Sequence, residues 1–275
     1  MKPKQVVLGL YTGPVVPAAM PMNVMSMAWE LSKAGMWYFD TRLWHESCRV
    51  DSNRNYLIHD FLHKTTADFL FIIDADMKHP GIAPVVLANR DLPIVCGLYF
   101  QRRQDGVFCP HFYRHNGESP DDRRGHGHDV NNHYTPMTSE VVQCFSQFPT
   151  MPFINEPVVL INADGSPTDK GLMRIDASGF GCAMLRRDAL ETIEAAGGPF
   201  LRDEPGLNGD LAFYKRAGAL GIPIWGDASV ISSHAFESYI GLQAFHGFVE
   251  RSRELTEAHE AAQAEAAVLA AGGHW

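Results

Sequence analysis

The chain has 275 residues, of which 45% are hydrophobic and 20% charged, so it can bury one large core and is neither fibrous nor disordered. Its net charge of −9, from 23 basic and 32 acidic residues, argues against broad electrostatic binding to nucleic acid or to an anionic membrane. Five scattered cysteines without a C-x-x-C pair indicate neither a zinc knuckle nor a disulfide framework. No apolar run approaches the roughly 20 residues that cross a bilayer, and no signal-peptide pattern is present, so we expect a cytoplasmic protein without a membrane span.

Strand and helix patterns alternate over the first hundred residues. The predicted strands are residues 6–11, 37–43, 69–73 and 94–99. The predicted helices are residues 23–34, 52–64 and 80–88, and Ser52 is the expected cap of the second. This alternation predicts an α/β fold in which helices flank a mostly parallel sheet.

An irregular stretch interrupts the alternation at residues 101–169. It is rich in Pro, Gly, Asn, Asp and His, with short predicted strands at 108–113 and 158–162, and such a long irregular segment is typically functional or partly disordered. Its histidines are His111, His115, His126, His128 and His133. They lack the helical spacing and the cysteine pair of common zinc sites, so a lid or an acceptor-binding loop is the preferred interpretation.

The α/β pattern resumes after the insert. Residues 176–187 predict a small-residue turn, a strand and a helix start, residues 208–217 predict a further helix, and short strands are expected at 222–227 and 230–234. Residues 242–270 are rich in Ala and Glu and predict a helical tail, which we expect to pack on the domain or to form a homodimer contact. The chain is therefore divided into a domain of residues 1–240 and a tail of residues 241–275.

Two carboxylates follow the most apolar predicted strand. Asp74 and Asp76 form a D-x-D pair directly after the strand at 69–73. Buried acids are costly unless their charge is offset, and oxygen ligands of this kind suit Mg²⁺ or Mn²⁺ at the ligand-binding edge of an α/β sheet. A polar strand end that caps the next helix is the plain alternative.

Three further features follow the D-x-D pair in a definite order: a small-residue strand entry at 178–181, Asp210 at a helix start, and His234 at a strand end. With this series the chain resembles the GT-A nucleotide-sugar glycosyltransferases, particularly the large inverting, family 2-like group with bacterial and viral members. The resemblance runs from about Val6 to about His234. One departure is Gly209, which stands where the family usually has the Glu of an E-D pair.

The resemblance implies a GT-A-like, Rossmann-like fold and metal-dependent transfer of a sugar from a nucleoside diphosphate sugar, most simply a UDP-sugar, to a hydroxyl with inversion. It assigns Asp76 to direct contact with Mn²⁺ or Mg²⁺, Asp74 to the ribose or donor sugar with help to the metal, and His234 to the metal shell. It assigns Asp210 to the base that deprotonates the acceptor. A satisfied buried histidine and a helix-stabilising acid are the respective alternatives.

Ends of two predicted strands offer candidate nucleotide contacts. Tyr11 and Thr12 end the first strand, where a base or ribose would lie. Arg102 and Arg103 follow the fourth strand, and their planar donors suit phosphate oxygens, although a solvated pair is the competing interpretation.

The start of the second predicted helix offers another set. Asp51, Arg54 and Asn55 match the arginine-asparagine that the resembling family often has before D-x-D. Arg54 would contact the nucleotide, or would fix Asp74 through an ion pair. A surface helix charge is the structural alternative.

The sequence does not identify the acceptor of the transferred sugar. A saccharide or small molecule is the first expectation, and a hydroxymethylated base of viral DNA is the alternative for the same class of enzyme. The other alternative is an inactive module that keeps the fold and binds nucleotide or metal, because Gly209 departs from the family pattern.

Overall fold

The computed structural model describes residues 4–11, 19–37, 42–44, 50–102, 108–115, 134–146, 157–160, 162, 168–198, 200–201, 207–235 and 239–240. Thr12, Arg103, three insert histidines and the tail of residues 241–275 lie outside these ranges. The side chains of Tyr11, Asp51 and Arg102 are also outside the description, although their backbones lie within it. The division at residue 240, the dimer contact and the cytoplasmic location stay predictions.

Strands and helices alternate through the described ranges. The strands are β1 (Val6–Tyr11), β2 (Arg42–Trp44), β3 (Phe69–Asp74), β4 (Met77–Lys78), β5 (Ile94–Leu98), β6 (Phe100–Arg102), β7 (Phe108–Pro110), β8 (Phe112–His115), β9 (Tyr134–Pro136), β10 (Val158–Val159), β11 (Leu172–Arg174), β12 (Ala177–Ser178), β13 (Cys182–Arg186), β14 (Ile224–Ile231), β15 (Ser233–Ala235) and β16 (Tyr239–Ile240). The helices are α1 (Ala19–Lys33), α2 (Val50–Lys64), α3 (Ala83–Asn89), α4 (Thr138–Phe145), α5 (Arg187–Ala195) and α6 (Gly209–Ala219).

The main sheet has the strand order β10-β14-β5-β13-β3-β1-β2, and β11 also pairs with β14. β1 runs parallel to both β2 and β3, and β14 runs parallel to β5. β13 lies between β3 and β5 and pairs antiparallel with both, so β2, β1, β3, β5 and β14 share one direction. The C-terminal ends of these five strands therefore meet at one edge of the sheet.

Helices cover both faces of this sheet. On β3, Leu70 and Ile72 belong to one core cluster, which also contains apolar side chains of α2, α5 and α6. Phe69, Phe71 and Ile73 belong to the other cluster, with apolar side chains of α1 and α3. Successive side chains of a strand point to opposite faces, so burial of both sets requires a cover on each side. The predicted α/β class, with a mostly parallel sheet between helices, is confirmed.

Several predicted boundaries were wrong. The two strands expected at 222–227 and 230–234 form one continuous strand, β14, whose register with β5 shifts between Asp227 and Ile231, and a separate short β15. α2 begins at Val50, so Ser52 lies inside it and is not its cap. Of the second predicted strand, at 37–43, the described residues are Trp37, in an isolated bridge to Val6, and Arg42 and Leu43, which begin β2; residues 38–41 lie outside the described ranges. The insert also contains α4, which its weak periodicity did not predict.

A small three-stranded sheet carries the chain past the end of β3. β4 pairs antiparallel with β15, which pairs antiparallel with β16, and the first pairing sets His234 opposite Met77. Met77 directly follows Asp76. The short sheet therefore brings His234 next to the D-x-D turn. No helix among the described residues has both the length and the apolarity of a membrane span.

Candidate active site

The D-x-D pair lies at the sheet edge where the parallel strands end. Asp74 is the last residue of β3 and pairs in register with Tyr11, the last residue of β1. Asp76 follows in the turn that leads into β4 and is half exposed. The five apolar residues 69–73 of β3 are buried in the core, and the two carboxylates follow where this burial ends. This is the edge at which ligands of open α/β sheets bind.

Arg54 connects this edge to α6. It lies in the second turn of α2, and its Nη2 donates to Oδ1 of Asp74 over 2.6 Å. Its Nη1 donates to Oδ1 of Asp210. The Arg54 side chain is 6% exposed, whereas those of Asp74 and Asp210 are 24% and 23% exposed. Burial would lower the pKa of Arg54, but the charges of Asp210 and Asp74 raise it above its ordinary value. Arg54 thus stays charged and holds the two carboxylates together.

The start of α6 aims Asp210 at this cluster. Asn208 caps the helix because its Oδ1 accepts from the backbone N–H of Leu211 over 2.9 Å. Asp210 lies in the first turn, where the helix dipole favours a negative charge. Its Oδ2 accepts from the backbone N–H of Phe180 over 3.3 Å. The Phe180 ring faces the Arg54 guanidinium at 5.3 Å, so the Gly-rich strand entry packs on the same ion-pair cluster.

Asp76 and His234 form a second polar contact beside the first. Oδ2 of Asp76 and Nε2 of His234 are 3.1 Å apart. Burial alone would raise the pKa of Asp76, but the hydrogen bond and charge of His234 lower it below its ordinary value. Burial would lower the pKa of His234, but the same hydrogen bond and the charges of Asp76 and Asp74 raise it. The pair favours an ionised carboxylate at this corner.

A buried hydrogen-bond network lies next to the contact between Asp76 and His234. Asn23 of α1 donates its Nδ2 to the carbonyl of His79 over 2.7 Å and accepts from the His79 N–H over 2.9 Å. Nδ1 of His79 lies 2.8 Å from Oγ of Ser232, between β14 and β15. Burial lowers the pKa of His79 to about 3, so the ring is neutral at pH 7. The network ties the segments that carry Asp76 and His234 to α1.

Tyr99 packs between the His234 side chain and the Gly-rich strand entry. Its hydroxyl accepts from the backbone N–H of Gly181 over 3.3 Å, and its ring stacks on His111 at 4.3 Å. It also meets the ring of His234 edge-on at 6.1 Å. Burial lowers the pKa of His111 to about 3, which leaves this histidine neutral as a packing partner.

Gly179→Ala should destabilise the protein, because the added Cβ would lie 2.0 Å from the Tyr99 hydroxyl and 2.9 Å from Nδ1 of His111. Overpacking of this kind costs about 1–3 kcal/mol. Chemical denaturation measures the free energy of unfolding. Gly218→Ala in α6 is the matched control, because nothing lies within 4 Å of its Cβ position, and it should be neutral or stabilising. Equal effects of the two changes would contradict the close packing at Gly179.

Asp76 and His234 could supply some, but not all, of the ligands of a metal ion. The oxygen of Asp76 and the imidazole of His234 are donors that suit Mn²⁺, and they are already close together. Asp74 gives one oxygen to Arg54. Within the described ranges, no group of three or more His, Cys, Asp or Glu side chains is arranged to hold a metal ion. The residues fit an ion that takes its remaining ligands from water or a bound ligand, as Mg²⁺ commonly does.

The structure brings five of the predicted site residues together, and it adds supporting residues that the sequence did not predict. Arg54, Asp74 and Asp210 meet directly, while Asp76 and His234 meet beside them. Asn55, predicted with Arg54, instead bonds to the backbone of Leu201 through its Nδ2 and Oδ1. The supports Asn23, His79 and Tyr99 were not predicted. The available signal for Tyr99 was its position as the last residue of the strand predicted at 94–99; in the structure β5 ends one residue earlier, at Leu98.

Arg54→Met should destabilise the protein strongly, since it removes the positive charge from between two carboxylates. Breaking a buried ion pair from one side costs about 3 kcal/mol or more, and the lower end applies because both carboxylates are partly exposed. Thermal and chemical denaturation measure the loss. The exposed Lys33→Met on α1, which removes a pair with Glu30, is the control and should change little. An unchanged free energy of unfolding in Arg54→Met would contradict a stabilising role of the ion-pair cluster.

Comparisons with known proteins give likenesses of fold. No profile of a known protein family matches the chain, and no curated protein is significantly similar in sequence. The crystal structure of A197 from STIV is 12% identical with a TM-score of 0.48, covering 84% of this chain and 86% of that one. The crystal structure of GalNAc-T7 with UDP, GalNAc and Mn²⁺ is 12% identical with a TM-score of 0.45, covering 90% of this chain and 48% of that one. The chain thus spans about half the length of the GalNAc-T7 chain.

Proposed function

We propose that the chain is a metal-dependent glycosyltransferase of the GT-A type, which moves a sugar from a nucleoside diphosphate sugar to a hydroxyl acceptor with inversion. The observation that carries the proposal is the ion-pair cluster in which Arg54 joins Asp74 and Asp210. Asp74, the residue proposed for the donor side, and Asp210, the proposed base, share this arginine at one sheet edge. Neither residue alone distinguishes this chemistry from ordinary stabilising acids.

The donor side comprises Asp74, Asp76 and His234. Asp76 and His234 would hold Mn²⁺ or Mg²⁺, with Asp74 at the ribose or sugar of a UDP-sugar. A bound divalent ion supplies positive charge that stabilises the departing diphosphate. Tyr11 lies in register with Asp74 and belongs to the proposed nucleoside side, together with Thr12, Asp51, Arg102 and Arg103.

The acceptor side centres on Asp210. Its carboxylate would take the proton of the acceptor hydroxyl as the new glycosidic bond forms and the bond from the sugar to the diphosphate breaks. Both of its oxygens are engaged in the structure, by Arg54 and by the Phe180 N–H. Each carboxylate oxygen has a second lone pair, so Asp210 can take the acceptor proton while it keeps these contacts. A saccharide or small molecule is the proposed acceptor, with a modified DNA base as the alternative.

The engaged state of Asp210 also supports a second candidate, a nucleotide-binding module without turnover. In that case the Asp210 carboxylate would serve only to balance Arg54 and to start α6. The two candidates agree on donor binding and differ in turnover.

A thermal-shift screen of nucleoside diphosphates with and without Mn²⁺ tests the donor site. At a ligand concentration of about 100 times Kd, the unfolding midpoint should rise by about 5 °C or more, and only when metal is present. UDP should give the largest shift. No shift with any nucleoside diphosphate would overturn the proposal. If a shift occurs, release of free sugar from the matching nucleotide sugar separates the enzyme from the silent module.

A further inference from the structure

The segments that carry Asp76 and His234 are joined by a short strand ladder. β4 and β15 share two residue pairs, Lys78 with Ser233 and Met77 with His234. Two pairs give the register of this ladder little backbone support, and a slip of one residue would turn each side chain of β15 to the opposite face. His234 therefore lies beside Asp76 only while the register is kept.

A side-chain hydrogen bond occupies the next position of this ladder. Continuing the register by one pair sets His79 opposite Ser232. Nδ1 of His79 and Oγ of Ser232 are 2.8 Å apart, and both residues are buried. Cross-strand side-chain pairs stabilise the register in which they meet. Ser232 directly precedes β15, so this bond acts two residues away from His234.

The imidazole of His79 is held through one nitrogen. Burial lowers the pKa of His79 to about 3, so the ring is neutral and a single nitrogen carries the proton. Among the residues that the structure describes, none bonds to the buried Nε2 of this ring. The proton therefore belongs on Nδ1, which donates it to Oγ of Ser232, because a buried N–H without an acceptor is costly.

Both partners of this bond are fixed independently of each other. The Asn23 side chain accepts from the backbone N–H of His79 over 2.9 Å and donates to its carbonyl over 2.7 Å. The backbone N–H of Ser232 donates to the carbonyl of Leu98, the last residue of β5, over 2.8 Å. One partner is thus tied to α1 and the other to the main sheet. The bond between them favours a single register of β15 on β4.

We propose that His79 is a positioning residue, which holds the register of β15 on β4 through Ser232 and so keeps His234 beside Asp76. His79 is buried, so its contribution is to place these two side chains and not to bind a ligand itself. The value of this placement for a cation rests on the proposed function, whereas the register and the contact do not.

Substitution of the two bonded side chains tests the inference. Ser232→Ala removes only the hydroxyl oxygen, and His79→Gln moves its amide from the position of Nδ1 to that of Nε2. The affinity of the chain for Mn²⁺, measured from the EPR signal of unbound Mn²⁺, should fall about 10- to 100-fold in both variants, as it does when other outer-shell partners are lost. His79→Asn sets its amide at the position of Nδ1 and should retain most of the affinity, although loss of the ring lowers stability in both amide variants.

Ser229→Ala is the matched control. It removes a buried hydroxyl of β14, three residues before Ser232, which donates to Oδ1 of Asp227 over 2.5 Å. This change should also destabilise the chain, but it should leave the affinity for Mn²⁺ unchanged. Equal losses of affinity in Ser229→Ala and Ser232→Ala would overturn the inference. Unchanged affinity in both Ser232→Ala and His79→Gln would overturn it too.

A metal-free measurement separates this inference from the proposed function. Hydrogen exchange of the backbone amides in β4 and β15, read by NMR, should become about tenfold faster in Ser232→Ala because the ladder opens locally, and Ser229→Ala should not change it. If the wild-type chain binds no Mn²⁺, the proposed cation site fails, while faster exchange in Ser232→Ala still supports the role of His79. Unchanged exchange in Ser232→Ala would overturn that role even if Mn²⁺ binds.

Discussion

Asp76→Ala is expected to abolish the metal-dependent part of nucleotide binding. The change removes an oxygen donor that lies 3.1 Å from the other candidate ligand, His234. Loss of an outer-shell partner already costs about 10- to 100-fold in metal affinity, and loss of a ligand should cost more. Isothermal titration with UDP, with and without Mn²⁺, measures the effect. The Asp76 side chain is half exposed, so stability should change little.

Asp68→Ala is the matched control for this variant. Asp68 adjoins the opposite end of β3, and its carboxylate accepts from the backbone N–H of Gln5 over 2.8 Å. Binding that survives in Asp76→Ala after treatment with a chelator would remove Asp76 from the cation site. Equal losses in both variants would point to damage of the strand and not to a lost ligand.

The strand of the D-x-D pair could be predicted from sequence because its signal is local. Five consecutive apolar residues need cover on both faces of a sheet, and the two acids mark where that cover ends. The start of α6 was equally local, since Asn208 both looks like a cap and acts as one. By contrast, β14 was divided in two, because Gly226, Asp227 and Ser229 resemble a turn. Asp227 is instead buried and satisfied by Arg90 and Ser229.

The joined site could not be predicted from local pattern. Arg54 and Asp210 are separated by 156 positions, and only the order β3-β13-β5 with α2 and α6 on one face brings them together. The ion pair of Arg54 with Asp74 was one of the two roles expected for that arginine, and the structure shows it, but nothing in the sequence indicated that the same arginine also joins Asp210. The buried bonds of His79 to Asn23 and Ser232 leave no periodic trace in the sequence, because each rests on a single side chain.

Asp210→Asn is expected to lower kcat by about 10²-fold or more while donor affinity stays nearly unchanged. The amide keeps the shape of the carboxylate and most of its hydrogen bonding, but it cannot accept the acceptor proton. Steady-state kinetics with the donor found in the thermal-shift screen measures kcat, and titration with UDP and Mn²⁺ measures donor affinity. The assignment needs both results, since loss of kcat alone does not identify a base.

The contact with Arg54 makes a second variant necessary. Asp210→Asn also removes one of the two negative charges that flank Arg54, so part of its effect could arise from a displaced guanidinium. Asp74→Asn removes the other charge and is the matched comparison. If displacement of Arg54 were the cause, both variants would lose stability, donor binding and turnover together. If Asp210 is the base, Asp210→Asn loses turnover with donor binding retained, whereas Asp74→Asn loses donor binding. Near-normal turnover in Asp210→Asn would leave that residue as a partner of Arg54 and a helix-stabilising acid, and would favour the module without turnover.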